Sequence, residues 1–375
     1  MHLADITMFY APAGGGVSTY LNAKSRWLQR RSSVRHTILT SNMPSHDNVV
    51  TLPYLPVPGL HGYRWPWPIR RVTNILCELQ PDIIEAGDGS SGAWASLHAR
   101  DRLGIPAVAF YHSDTPRLLK RRFGRVIEAG GEWYMRTVYR DFDLVLAPSR
   151  LMVQRLAAMG VKRAVHQPLG IDSVMFRPER RDSSFREQIG VGPETRLLVY
   201  AGRFTPEKKL DILVDAVCKL GASYHLVLVG DGVTPPRRCP QVTVLPFMHN
   251  QDDLARVLAS CDALAHAGDG ETFGLIALEA MACGLPVVYT GGGIAELVDH
   301  SCGLRADPDN VGSMCGAIEA LFARDMPALA ANARRRAADH YDWNTIMPQL
   351  LARYEGALAT VAPTVPEGNR RYVAD

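Results

Sequence analysis

Short apolar runs alternate with longer stretches of mixed apolar and polar residues from one end of the chain to the other. In the first half the apolar runs cover residues 6–11, 36–41, 82–86, 107–111 and 144–148. Runs this short and this uniformly apolar predict strands covered on both faces. Residues 17–31, 69–79 and 90–103, between them, carry apolar positions at helical spacing. The second half repeats the plan, with strands predicted at 197–201, 225–229, 242–247, 263–266 and 286–290. Its helices are predicted at 208–220, 252–259, 275–282, 311–323 and 328–340, and a last one near 348–358. Strand and helix in this alternation predict an α/β protein with parallel sheets and helices on both faces. Two such series predict two Rossmann-like, doubly wound domains facing each other across a cleft. The expected units are 1–172, 173–345, and a C-terminal helix and tail (346–375) packing back on the first.

Composition agrees with this picture and narrows it. At 375 residues the chain is long enough for two cores. Its 47% hydrophobic and 21% charged content is that of a globular protein. No run of eighteen apolar residues is present, so no membrane span is expected. The start Met1-His2-Leu3-Ala4-Asp5 lacks the marks of a secretory signal, and a cytoplasmic location is expected. Seven scattered cysteines with no C-x-x-C pair suit a reducing compartment, each as a small core residue. Charge is unevenly spread. Residues 1–180 carry 23 Lys+Arg against 14 Asp+Glu, whereas the remainder carries 18 against 24. A basic first half suits an anionic partner, although solvated arginines account for it equally well.

Three stretches point to chemistry. Gly14-Gly15-Gly16 follows the first strand, where consecutive glycines allow close backbone approach to a ligand or simply a tight turn. A dinucleotide site is disfavoured, because Thr19 replaces the third glycine and no acidic residue occurs between Asp5 and Asp47. In Ala201-Gly202-Arg203-Phe204-Thr205-Pro206-Glu207-Lys208-Lys209, cations follow a strand end, which fits a diphosphate or a solvated basic turn. The most informative stretch is 268–288, GDGETFGLIALEAMACGLPVV. A helix beginning near Phe273 and capped at Gly284 would leave the N–H groups of Phe273, Gly274 and Leu275 free for an anion. Glu279, set among Leu278, Ala280 and Met281, needs hydrogen-bonding partners or a ligand, and ribose hydroxyls would serve.

These stretches, taken with Tyr111-His112-Ser113-Asp114, Ala147-Pro148-Ser149, Pro168-Leu169-Gly170-Ile171-Asp172, Val229-Gly230-Asp231-Gly232 and the Glu271…Glu279 pair, resemble the retaining glycosyltransferases of family 4. The resemblance spans nearly the whole chain and implies the two-domain GT-B fold. It implies that Arg203 and Lys208 neutralise a nucleoside diphosphate, with backbone groups at Phe273–Leu275 and Gly15–Gly16. It also implies that Glu279 holds the ribose, that Glu271 bonds the transferred sugar, and that His112 lies beside that sugar. The base would sit near Phe247, Met248 and His249. No metal and no cofactor are implied, the nucleotide sugar being a substrate. Lys209, His266 and Gly268 depart from the commonest pattern, and Lys209 is expected to add charge near the phosphates. Thr272 and the YHSD segment are similar to the subgroup using mannose or sulfoquinovose donors.

The expected activity is therefore transfer of a hexose, mannose from GDP-mannose by preference, to a lipid-linked or glycan acceptor in cell-envelope or exopolysaccharide synthesis. A UDP-sugar transferase, a sugar-nucleotide epimerase and a non-catalytic binding relative remain as alternatives. His112 alone could be an ordinary hydrogen-bonded residue, and Asp114 a helix N-cap ahead of Pro116. The basic and apolar stretch 116–125, with Trp65 and Trp67 flanked by arginines, fits peripheral attachment to an anionic inner membrane face or a solvated helix. No nucleic-acid module is present.

Overall fold

The computed structural model describes residues 1–12, 14–56 and 62–361; the tail expected beyond position 362 lies outside the described residues. The first half holds β1 (His2–Ile6), α1 (Gly16–Arg31), β2 (Arg35–Thr40) and β3 (Val49–Thr51). A hairpin of β4 (Tyr54–Pro56) and β5 (Arg64–Pro66) follows, then α2 (Ile69–Leu79), β6 (Ile83–Ala86) and α3 (Ser91–Leu103). Next come β7 (Ala107–Phe110), α4 (Thr115–Phe123), α5 (Arg125–Tyr139), β8 (Leu144–Ala147), α6 (Arg150–Ala158) and β9 (Ala164–His166). The second half has α7 (Phe185–Gln188), β10 (Arg196–Ala201), α8 (Leu210–Leu220), β11 (Tyr224–Val229) and β12 (Val242–Leu245). It continues with α9 (Gln251–Ser260), β13 (Ala263–His266), α10 (Leu275–Ala282), β14 (Val287–Tyr289), α11 (Ile294–Leu297) and β15 (Gly303–Arg305). Helices α12 (Val311–Phe322), α13 (Met326–Tyr341) and α14 (Trp343–Val361) close the chain.

Two parallel sheets result, in the orders β3-β2-β1-β6-β7-β8-β9 and β12-β11-β10-β13-β14-β15. Their central strands are buried on both faces, which explains why β7 reads as a continuous apolar run; β1 and β6 are as buried but carry Asp5 and Glu85. In each sheet the order reverses beside the first strand, between β1 and β6 and between β10 and β13. Doubly wound sheets bind ligands outside the carboxyl ends of strands at such reversals. Three of the ligand-bearing loops predicted from sequence, after β1, β10 and β13, leave from those ends.

Element boundaries depart from expectation where a polar side chain makes the decision. The first strand is His2–Ile6, not 6–11, because Thr7 and Met8 turn away to bond Asp88, whose Oδ2 accepts from Thr7 Oγ1 and from the Met8 N–H, each at 2.7 Å. The last helix begins at Trp343, not 348, since Asp342 caps it by accepting from the Asn344 N–H at 2.8 Å. Pro348 then sits inside the helix and removes one backbone donor from it. Cysteine usage also differs: Cys218 and Cys239 are joined as a disulfide, whereas Cys261, Cys283, Cys302 and Cys315 are free and buried as small core residues.

Helix α14 returns to the first sheet. Tyr354 donates to Glu85 and lies 2.6 Å from Lys24 Nζ, which also pairs with Asp5 at 2.9 Å and Glu85 at 3.2 Å, all fully buried. Trp343, at the start of α14, packs on Gly170 so closely that a Cβ there would enter its ring.

Candidate active site

The glycine loop is held against the opposite half of the molecule. Ser18 Oγ accepts from the Ala11 N–H at 3.2 Å, and Gly14 N–H bonds the Ala11 carbonyl at 2.9 Å, which folds the segment back before α1. A Cβ on Gly16 would lie 3.0 Å from Leu275 Cδ1, and one on Gly15 would lie 3.4 Å from Arg203 Nη2. The two glycines thus bring bare backbone to the start of α10 and to Arg203.

Helix α10 begins at Leu275, two residues beyond the expected Phe273, because Gly274 adopts φ 101° as its N-cap. A Cβ on Gly274 would collide with Ile294 of α11, so both the backbone angle and the packing call for glycine. No described residue accepts a hydrogen bond from the N–H groups of Phe273, Gly274 or Leu275. They stand free at the positive end of the helix dipole, opposite Gly16. Phe273 itself is buried and meets the Tyr341 ring edge-on at 6.2 Å.

Glu279 lies further along α10 and is 7% exposed, with no partner among the described residues. Burial pushes its carboxyl up to about 8. It lines a cleft of about 1050 Å³ together with Gly15, Gly16, Phe247, Met248 and Leu275. The Phe247 and His249 rings meet edge to face at 5.0 Å on the same cleft.

A smaller cavity of about 160 Å³ is lined by His112, Lys208, Glu271 and Thr272. Glu271 Oε1 accepts from Lys208 Nζ and lies 3.1 Å from His266 Nε2. Burial works to raise the Glu271 carboxyl, but Lys208 and His266 outweigh it and hold the group well below the usual range. His112 is stacked on Phe110, with ring centroids 4.1 Å apart, and its imidazole bonds no described residue. Burial, helped by the Lys24 charge and opposed by Asp5, lowers His112 to about 3, so a neutral ring faces the cavity. Thr272 Oγ1 donates to the His112 carbonyl at 2.8 Å, and Ser149 Oγ donates to the Thr272 carbonyl at 2.7 Å. Those bonds tie the two sides of the cleft together.

Arg203 donates to Tyr63 Oη and lies over the Tyr63 ring, 5.4 Å from its centroid. Tyr63 rests edge-on against Phe9, on the loop leading to the glycines. Lys209 does not supply charge toward the phosphates as expected. It takes a left-handed backbone, φ 52°, and its ammonium is engaged by Asp269 at 3.0 Å and Asp309 at 2.8 Å. Asp114 caps α4, accepting from the Arg117 N–H at 3.4 Å, and pairs with Arg155 at 3.2 Å. The Asp-x-Asp segments at 141–143 and 307–309 are occupied elsewhere, Asp143 by the Ala107 N–H and Asp309 by Lys209. Among the described residues no group of three His, Cys, Asp or Glu side chains could hold a metal ion.

Of the residues singled out from sequence, His112, Lys208 and Glu271 share the smaller cavity, Glu279 lines the larger one and Arg203 lies beside Gly15; Tyr63 and the partnership of His266 with Glu271 were missed. Tyr63 lies on a hairpin with no motif to mark it. His266 was visible only as a departure from the common pattern. Lys24 did leave a signal: it falls on the face of α1 shared by Tyr20, Leu21 and Leu28, where a cation requires buried partners.

Comparison with known proteins agrees with this geometry. The family model described as "Glycosyltransferase Family 4" matches residues 14–174, and that described as "Glycosyl transferases group 1" matches 195–324. A GDP-mannose-dependent alpha-mannosyltransferase of Mycobacterium tuberculosis is 30% identical over 302 residues, 77% of this chain and 76% of its own. A GDP-mannose-dependent alpha-(1-6)-phosphatidylinositol dimannoside mannosyltransferase of the same species is 28% identical, over 96% of this chain and 97% of its own. Among solved structures, sucrose-phosphate synthase from Thermosynechococcus elongatus superposes with a TM-score of 0.80 at 19% identity, covering 96% of this chain and all of that one. The fold is GT-B, and the chain is a glycosyltransferase belonging to family 4.

Proposed function

We propose that the chain transfers mannose from GDP-mannose to a lipid-linked or glycan acceptor of the cell envelope or an exopolysaccharide, with retention of configuration and without a metal ion. The observation that carries this is the order of features along the cleft. Glu279, a buried carboxyl with no partner among the described residues, comes first, then N–H groups at the start of α10 that no described residue accepts from, then the small cavity of Glu271, Lys208 and His112. That order matches ribose, diphosphate and sugar. The GDP-mannose dependence of the relatives supports the choice of base and hexose.

Bond cleavage places negative charge on the departing diphosphate. Arg203, Lys208 and the α10 N–H groups stabilise that charge most as it develops, which is what lowers the barrier. Glu271, already bonded by Lys208 and His266, is suited to sugar hydroxyls rather than to nucleophilic attack, which fits front-face displacement. The exposed side chains of Leu118, Val126, Ile127 and Trp133 on α4 and α5 support peripheral membrane attachment beside the acceptor side. The side chains at 119 and 121–123, within the basic stretch read from sequence, lie outside the described residues. No helix among the described residues is long and apolar enough to cross a membrane.

A thermal-shift series with GDP-mannose, UDP-glucose and ADP-glucose tests the donor, since a ligand bound only by the folded chain raises its melting temperature. GDP-mannose should give the largest rise. Proton NMR of the product should show the α-linkage retained, with transfer undiminished by a chelator. A larger shift with UDP-glucose, or loss of transfer in chelator, would overturn the corresponding part.

A further inference from the structure

The His266 side chain is fully buried at the end of β13, and each of its ring nitrogens faces an acceptor. Nδ1 is 3.1 Å from the Gly268 carbonyl oxygen and Nε2 is 3.1 Å from Glu271 Oε1. A carbonyl can only accept, and so can an ionised carboxylate. Only a ring carrying a proton on each nitrogen donates to both. The loop fixes the ring in place, since a Cβ on Gly268 would lie 3.0 Å from His266 Cε1 and 2.9 Å from the Glu207 carbonyl. From β10, the Tyr200 ring packs against it at 5.5 Å. Lys208 reaches the same Glu271 oxygen from the cleft side. One carboxylate oxygen therefore serves two side chains, His266 buried behind it and Lys208 at the cavity, and Oε2 has no partner among the described residues.

We infer that His266 is a positioning residue that frees Lys208 for the donor. In the ligand-free protein Lys208 is held by Glu271. An arriving diphosphate competes for that ammonium, and Glu271 can release it without being left unpaired because His266 remains behind it. The Oε2 atom then stays ionised and oriented toward the sugar. This rests on the assignment of Lys208 to the diphosphate and Glu271 to the sugar.

A double-mutant cycle tests it by measuring GDP affinity calorimetrically for the wild type, His266→Gln, Glu271→Gln and the double variant. Glutamine keeps a donor but drops the ring that bridges the Gly268 carbonyl and Glu271. His266→Gln alone should weaken GDP binding about tenfold, the scale of one charge-assisted hydrogen bond. Glu271→Gln should not weaken it, because Lys208 is already free. The double variant should fall within about twofold of Glu271→Gln. Equal losses in both backgrounds would mean a structural role and would overturn the inference, as would an unchanged affinity in His266→Gln. Should that variant not fold, nitrogen-resolved NMR of the wild type decides: two ring N–H signals for His266 are expected, and a single tautomer overturns it. Binding of UDP or ADP in place of GDP would reject only the choice of base, and the cycle would run with that nucleotide. A wild type that binds none of the three would reject the proposed function along with this inference.

Discussion

Glu271 and Glu279 belong to one short segment, and the fold treats them in opposite ways. Glu271, in the loop before α10, is held between Lys208 and His266 and kept ionised. Glu279, within the helix, is more enclosed yet has no partner among the described residues, and burial moves its carboxyl up to about 8. The same side chain at eight residues' remove is thus paired through one oxygen in one place and left wanting in the other. The difference teaches where ligand enters the energetics. A paired carboxylate is ready before substrate arrives, whereas an unpartnered one carries a desolvation cost that only a ligand's hydroxyls can offset.

The strongest way to break this contrast is Lys208→Ala. It takes away the cavity-side cation of Glu271 and a cation proposed for the leaving diphosphate. Turnover should fall about 10²- to 10³-fold, the scale for removing one preorganised charge-stabilising group, with the melting temperature little changed. Steady-state kinetics beside a thermal melt would check both halves. Unchanged turnover would remove Lys208 from the site.

A smaller and more diagnostic change is Glu279→Gln. Nucleotide binding should weaken about tenfold through loss of a carboxyl partner for the ribose hydroxyls, while the ligand-free protein becomes more stable in alkali. The sign follows from proton counts. Between the ordinary 4.5 and about 8 the unfolded chain has lost the Glu279 proton while the folded chain retains it. Stability therefore falls as pH rises through that window, and glutamine abolishes the fall. Melting temperatures of both proteins should agree near the lower end and diverge by pH 8. Parallel curves would mean that Glu279 is solvated or paired after all. The smallest expected effect belongs to Tyr63→Phe, which removes one hydrogen bond to Arg203. Donor KM should shift by about two- to tenfold with little change in kcat, the scale of a single hydrogen bond.

Much of this was legible in the residues themselves. The inner strands of both sheets announced themselves because parallel strands buried on two faces are largely apolar, whereas the short edge strands β3, β9 and β15 did not. The helix at 275–282 was bounded by glycines whose backbone freedom its ends require. What failed to show were features whose cause lies far away in sequence. The first strand stops at Ile6 because Asp88 captures Thr7 and Met8, and nothing local marks that. The last helix starts at Trp343 because Asp342 caps it, although Pro348 looks locally like a beginning. Lys209 looked like a spare phosphate cation until Asp309, a hundred positions on, proved to hold it.

The sequence by itself determined the alternation of strand and helix, the placement of glycines where backbone must pass close, and the types of side chain at the cleft. Those are local consequences of periodicity and of backbone geometry. Only the tertiary structure decided how each charged group is partnered. Lysine on the buried face of α1 is matched by carboxylates from β1 and β6 and a tyrosine from α14. Histidine at the end of β13 turns to the loop glutamate, and the helix glutamate finds no partner among the described residues. Partnership depends on which atoms meet across elements distant in the chain, and in a low-dielectric interior a few ångströms separate a satisfied charge from a poised one.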